Sequence, residues 1–427
     1  MGYTATEKII ARACGRAAVR PGEVVYPSPD QVIVHDGYIA NSRQTLDELG
    51  ITEVFDRDRV LLVVDHAVTY SNLIQAERGA AIRRAVKHWG VRDFYDAGRG
   101  GQGHVLPMEQ GYVLPGDFVF ANDMHSSNNG AVGALAMRTG TEIICVLATG
   151  TMWIEVPRTI LVTLDGRLQP GVFPRDIGFK VARDFTNGTY GCDWDYRVIE
   201  FAGEAIDRMS VDERVPLCNT LTEIGTATAF FAPSPAIVAE ARIVARRPFE
   251  PVYSDPDAEY EARLTLDLDS LAPQVSLPGS PDNAVDIATV VGQPVDHAQI
   301  GSCGSSMYED MEVAGHVLRG RKVSPGTRLY VTPGTVDITK RMTASGLMQV
   351  FQDAGAMILP PGCGPCAGGQ MAQLAAGEVS LSTGATNGRG RMGSPESSIY
   401  LASPATVALS AITGRITDPR SEKQLWA

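Results

Sequence analysis

The sequence predicts an α/β fold with mostly parallel sheets, in three domains spanning 1–158, 159–284 and 285–427. Three observations predict it. Short continuous apolar runs recur, each followed by residues at helical spacing. Those runs end repeatedly on Asp, His or Cys. A proline-rich stretch, 232–281, divides a front block from a C-terminal block and reads as irregular structure and linker.

Each element follows from its own pattern. Val60 to Val64 is a buried strand ending at Asp65-His66, and Asn72 to His88 is the helix after it. Asp117 to Ala121 is a second strand, ending at Asp123-Met124-His125 before a small-residue helix with Gly130 and Gly133. Ile143 to Leu147 reads as a third strand, which would pack Cys145 into the core. In the last third, a strand through Ala298 to Ile300 reaches Cys303. A helix from Met307 to Arg319 follows, with Ser306 and Glu309 spaced as a capping box. Arg328 to Val331 is the next strand, Ile338 to Gly355 the next helix, and Ala356 to Leu359 leads to Cys363. Strand–helix alternation gives parallel sheets, and ligands bind such sheets beyond the carboxyl ends of the strands. Asp65, His66, Asp123, His125, Cys303 and Cys363 all fall there.

Composition narrows the class. The 427 residues are 44% hydrophobic and 20% charged, as in an ordinary globular protein. A net charge of −12 argues against a nucleic-acid partner and fits a cytoplasmic enzyme. Glu7, Arg12, Arg16 and Arg20 interrupt the first segment, so no signal peptide is expected. No run reaches the roughly 18 apolar residues that would span a bilayer. Seven cysteines make an odd count, against a disulfide framework; Cys14, Cys145, Cys192 and Cys218 read as buried or structural thiols.

Cys303, Cys363 and Cys366 carry the chemistry. Three thiolates are one short of the four that close a structural zinc site or a cluster, and three protein ligands leave one position open to a substrate. A C-x-x-C alone is also a redox pair or half a zinc site. Of the seven histidines, His66 follows Asp65, His125 lies two after Asp123, and His104 follows the Gly98–Gly103 loop. A carboxylate fixes an imidazole's tautomer and raises its basicity, which suits protonation of a leaving hydroxyl. His35-Asp36-Gly37 reads either as a turn or as a loop at the site. Gly98, Gly100 and Gly103 match G-x-G-x-x-G, but no convincing helix follows, against a dinucleotide site. Arg389 and Arg391 could clamp a carboxylate or form a solvated loop.

These motifs together resemble the aconitase superfamily, closest to large subunits of the isopropylmalate dehydratase type, from about Gly22 to Arg420. Asp65-His66, Gly103-His104, Asp123-Met124-His125, Ala148-Thr149-Gly150, Gly301-Ser302-Cys303 and Cys363-Gly364-Pro365-Cys366 carry the resemblance. It implies aconitase-like domains around a [4Fe–4S] cluster held by Cys303, Cys363 and Cys366, with one open iron. It also implies catalytic pairs Asp65 with His66, Asp123 with His104, and Glu200 with His125. His104 with Asp123 is the expected proton donor. His35, Asp36, Ser302 and Arg391 are the expected substrate-binding residues. The implied reaction is dehydration or hydration of a small hydroxy-carboxylic acid, substituted-malate-like. Two further readings stay open: a diverged lyase with an altered cluster or single metal ion, and a non-catalytic cluster-bearing sensor.

The sequence also departs from the family pattern, at Met124, Gly304, Ala385 and Thr386. A lost Arg clamp points to a less acidic or differently placed substrate. The family's swivelling domain, with its base serine, has no counterpart in the sequence, so the resemblance implies a small partner subunit that supplies both.

Overall fold

A computed structural model describes residues 2–368 and 371–426. The chain divides into two compact units, each built from separate stretches. The first holds Met1–Leu164, Asp193–Val211 and Gly225–Thr265; the second holds Asp165–Cys192, Asp212–Ile224 and Leu266–Ala427. Residues 159–284, expected as a middle domain, are thus shared between the two units.

The first unit contains a five-stranded sheet: β1 (Gln31–His35), β2 (Val60–Val63), β3 (Phe94–Tyr95), β4 (Phe118–Ala121) and β5 (Leu135–Arg138). Their order is β3-β2-β1-β4-β5, and every neighbouring pair is parallel. β1, β2 and β4 are buried at every residue. That is why they read as unbroken apolar runs: a parallel sheet is covered on both faces. Helices α1 (Asp36–Glu48), α2 (Leu73–Trp89) and α3 (Ile143–Thr149) give Ile39, Leu46, Ile82, Trp89, Val146 and Leu147 to this core. α2 starts where the Asn72 side chain accepts the Gln75 N–H at 3.0 Å and stops at Gly90, whose φ is 66°.

The segment 143–147 is helical, not the expected strand. Ile143, Val146 and Leu147 face inward at i, i+3, i+4, and Cys145 falls on the outer face and is exposed. Cys14 and Cys192 are half-buried, and Cys218 is buried as expected.

Four strands form a second sheet: β6 (Thr159–Asp165), β7 (Val198–Ala202), β8 (Thr228–Phe231) and β9 (Ala262–Asp267), ordered β8-β7-β6-β9. The proline-rich stretch is therefore not irregular throughout. It contains β9 and a helix, Pro235–Val244, capped by Ser234 with Pro235 in its first turn. Proline suits that position because the N–H it lacks has no helical partner there.

The second unit holds seven strands: β10 (Gln274–Ser276), β11 (Ala284–Asp286), β12 (His297–Gly301), β13 (Arg328–Thr332), β14 (Met357–Ile358), β15 (Val379–Ser382) and β16 (Ser398–Leu401). Their order is β11-β10-β16-β15-β12-β13-β14. The run from β16 to β14 is parallel; β10 and β11 form an antiparallel edge. The helix expected over 338–355 is two, Val336–Ala344 and Leu347–Ala354, broken at Gly346 with φ 76°. At the helix Tyr308–Leu318, Asp310 rather than Glu309 reaches back, accepting the Met307 N–H at 3.0 Å. Among the described residues no helix is long and apolar enough to cross a membrane.

Candidate active site

In the first unit the parallel register aligns the carboxyl ends of four adjacent strands. β1 ends on His35, with Asp36 next. β2 runs on through Val64 to Asp65 and His66. The loop after β3 carries His104. β4 leads through Asn122 to Asp123 and then His125. Four polar strand ends on one edge make a ligand-binding edge in a sheet of this kind.

Asp65 is fully buried and uses both oxygens. Oδ2 lies 3.0 Å from Nδ1 of His35 and accepts the Gly103 N–H at 2.8 Å; Oδ1 lies 2.7 Å from Nδ1 of His66. Asp36 adds a second carboxylate to His66, Oδ1 to Nδ1 at 3.1 Å, and its other oxygen accepts the Ala67 N–H at 2.9 Å. Gly103 makes this approach possible, since a Cβ there would come 2.5 Å from Cε1 of His35. The His35 ring stacks on His104 with centroids 4.3 Å apart. Asp123 Oδ1 lies 3.3 Å from Nε2 of His104 and 3.4 Å from Nδ1 of His125, and accepts the His125 N–H at 2.9 Å. His35 and Asp36 thus belong to the histidine–carboxylate network and not to a turn.

The electrostatics divide the histidines by role. Burial opposes charge on His66, but Asp65 and Asp36 outweigh it and hold the imidazole well above its usual range. Burial likewise opposes ionisation of Asp65 and Asp123, yet the surrounding histidines keep both carboxyls well below theirs. His104 goes the other way: burial, then the neighbouring His35, pushes it down to about 3. That direction favours the uncharged His104 ring, whose one remaining N–H is a poor acid. His66 side-chain exposure is 32%, against 1% for His104. These directions leave a transferable proton on His66, beside Asp65, more readily than on His104, beside Asp123.

The expected pairing of Glu200 with His125 is not formed. Glu200 lies on β7, where its carboxylate accepts the Ser254 hydroxyl at 2.8 and 2.9 Å and the Tyr260 hydroxyl at 2.9 Å. Burial raises its pKa, partly offset by those hydroxyls. His125 instead turns to Asp123, two residues away, which caps the 3-10 turn Met124–Val132.

In the second unit the cysteines also sit at carboxyl ends. Cys303 follows β12, Cys363 and Cys366 follow β14, and the segment 383–392 follows β15. None of the three is in a disulfide, and each is only 4–6% exposed. Burial would push the Cys366 thiol up, but Arg391, the Ser302 hydroxyl and the N–H groups of Thr386 and Ala385 bring it below its usual value. The side chains expected at 385 and 386 are therefore not needed for this contact, because the backbone makes it. Arg391 hydrogen-bonds Cys366 and lies in the field of Glu223 and Cys363. Ser302 is buried at φ 85°, with its hydroxyl 4.0 Å from the Cys303 sulfur and also hydrogen-bonded to the Cys366 sulfur. A left-handed non-glycine residue at such a loop is a strained position held by its surroundings.

Sequence reasoning missed several residues. Asn219, on the helix Val211–Thr222, donates to the Cys303 sulfur at 3.4 Å, and Glu223 lies four residues further on. The i, i+4 spacing of Asn219 and Glu223, which stands just past the helix end, was the available signal. Asn122 accepts the His35 N–H at 2.8 Å. Arg175, fully buried in a helix, carried no sequence signal.

The model of the aconitase family (aconitate hydratase) matches residues 7–294 and 288–414. The 3-isopropylmalate dehydratase large subunit 1 of Methanopyrus kandleri is 42% identical over 422 residues, covering 98% of this chain and 99% of that one. The 3-isopropylmalate dehydratase large subunit of Moorella thermoacetica is 39% identical over 421 residues, with 98% and 99% covered. Among solved structures, the holo-form of aconitase X from Thermococcus kodakaraensis matches in fold, with TM-score 0.53, 12% identity and 95% of each chain covered.

Proposed function

The chain belongs to the aconitase family and is an enzyme of the hydro-lyase class; from that premise we propose that it is the large subunit of an iron–sulfur dehydratase or isomerase acting on a substituted malate-like hydroxy acid. A small subunit, implied by the names of its relatives, completes it with a swivelling domain and a base serine.

The observation that carries this reading is the cradle around Cys366. A buried thiol driven towards thiolate by an arginine, a hydroxyl and two N–H groups is prepared for a metal rather than for packing. Cys303, Cys363 and Cys366 fit a [4Fe–4S] cluster as three donors, one short of closure. When bound, that cluster supplies a Lewis-acidic iron with one position free of protein ligands, which polarises a hydroxyl.

The chain's own residues do the rest. Protonated His66, held by Asp65 and Asp36, gives its proton to the departing hydroxyl oxygen, so that it leaves as water. Asp123 keeps His104 and His125 oriented. His104 and His35, stacked and buried, exclude water from the back of the network. Arg391, balanced between thiolate and Glu223, offers a cation to a substrate carboxylate. Retention of this histidine–carboxylate network supports catalysis over a sensor role, which would need no proton donor.

The test is anaerobic reconstitution with iron, sulfide and the small subunit, followed by hydratase assays on substituted malates and unsaturated diacids. Turnover of at least one supports the proposal; a cluster-loaded complex inert on all of them defeats it.

A further inference from the structure

One arginine of the second unit is used in an unusual way. Arg175 lies on the helix Pro174–Thr186 and is 1% exposed. Its Nη1 donates to the carbonyl of Gly304 at 2.7 Å, and its Nη2 donates to the carbonyl of Gly384. Gly304 follows Cys303 on the loop after β12, and Gly384 follows β15, the neighbouring parallel strand. One planar guanidinium therefore fastens two adjacent loops.

The glycine at 304 is explained by the same residue. A Cβ there would collide with Nη1 of Arg175 and come 2.8 Å from Oδ1 of Asn219. At 384 a Cβ would stand 3.7 Å from the Cys366 sulfur. The guanidinium carbon lies 4.9 Å over the Phe179 ring, and Phe179, Cys303, Cys366 and Ala385 share one buried cluster. An arginine desolvated in this way is costly unless its donors are used; here Nη1 and Nη2 are spent on main-chain carbonyls beside the cysteines, while the buried Nε makes no hydrogen bond among the described residues.

We infer that Arg175 is a positioning residue for the cysteine cradle. It ties the Cys303 loop to the loop whose N–H groups reach Cys366, and residue 304 is glycine to admit it. The inference rests on the proposed function in one respect, that the cradle holds a cluster.

The test uses the full chain and the variants Arg175→Lys, Gly304→Ala and their combination. Lysine keeps the charge but lacks the planar fork that spans two carbonyls. Hydrogen exchange of the apo chain is read at 303–306 and 384–386, beside the rate of iron and sulfide loss after reconstitution. Arg175→Lys should speed exchange in both loops at least about tenfold and cluster loss about 10–100-fold, as loss of a supporting contact does. Exchange in β13 should not change. Gly304→Ala should reproduce both effects, and the combination should be little worse than either alone, since both break the same contact. Unchanged exchange in the two loops, uniform loosening of the whole unit, or simple addition of the two effects would overturn the inference. A wild-type chain that takes up no iron and sulfide overturns the proposed function instead, and the apo exchange rates then decide the clamp by themselves.

Discussion

Nδ1 of His66 lies 2.7 Å from Oδ1 of Asp65, and this contact sets which ring nitrogen stays available for chemistry. With Nδ1 engaged by Asp65 and Asp36, the Nε2 side is the one that can carry a proton outward. Asp65→Asn removes the charge that holds His66 protonated. Turnover should fall about 10²–10⁴-fold, the usual range for losing general acid catalysis, with a much smaller change in KM. The sign of the pH effect is fixed: an acid works only while protonated, so activity falls as pH rises through the His66 pKa. The variant lowers that pKa, and its activity should decline from a lower pH than wild type. A kcat profile against pH reads both effects.

Glu200→Gln separates a structural carboxyl from a catalytic one. Glutamine still accepts from the Ser254 and Tyr260 hydroxyls, so stability should change by no more than about 1 kcal/mol. Turnover should stay within about threefold of wild type. A loss beyond about a hundredfold would restore Glu200 to the proton-transfer machinery.

His297 should give the fold an acid-sensitive element. It is fully buried on β12, with Nδ1 2.9 Å from the Ser380 hydroxyl; burial, then the charge of Arg328, pushes it from 6.5 down to about 4. The unfolded chain binds a proton as pH drops below 6.5, and the folded chain refuses it until about 4. The stabilisation is thus complete above 6.5 and lost as pH falls to about 4, by about 3 kcal/mol. Denaturant midpoints of the apo chain between pH 7 and pH 4 should show a shallower decline in His297→Gln. Parallel curves for the two proteins would remove His297 from the account.

Gly103→Ala probes how tightly the network is built. The added methyl would press on the His35 ring and lie 3.3 Å from Oδ2 of Asp65, whose hydrogen bond from the Gly103 N–H is 2.8 Å. Displacing these groups by an ångström should reduce kcat about a hundredfold. Crystals of the variant with an unmoved Asp65, together with full activity, would contradict it.

What the sequence made legible follows from how each signal is encoded. β2, β4 and β12 are fully buried and lead within two residues into polar ones, so composition alone marks both strand and functional edge. The segment 143–147 was not legible, because five consecutive apolar residues carry no period; only the inward set Ile143, Val146 and Leu147 reveals a helix. The long helix expected over 338–355 concealed a break that depends on Gly346 adopting a left-handed backbone. Glu200 sits in a segment that looks like a family motif, yet its partners are 54 and 60 residues away, beyond any local pattern. The choice between His66 and His104 was hidden for another reason. His66 adjoins Asp65 in sequence and also meets Asp36, and these carboxylates outweigh its burial; His104 meets Asp123 only through the fold, and burial and His35 hold it down.

The central claim is that Cys303, Cys363 and Cys366 hold an iron–sulfur cluster that serves hydro-lyase chemistry. Its most direct test is iron and sulfide per chain, measured with hydratase turnover, in the anaerobically reconstituted two-subunit complex and in its Cys366→Ser variant. The account predicts close to four iron and four sulfide per wild-type chain, turnover of at least one hydroxy acid, and loss of both in the variant. A Cys366→Ser complex that keeps the full cluster and full turnover would contradict it.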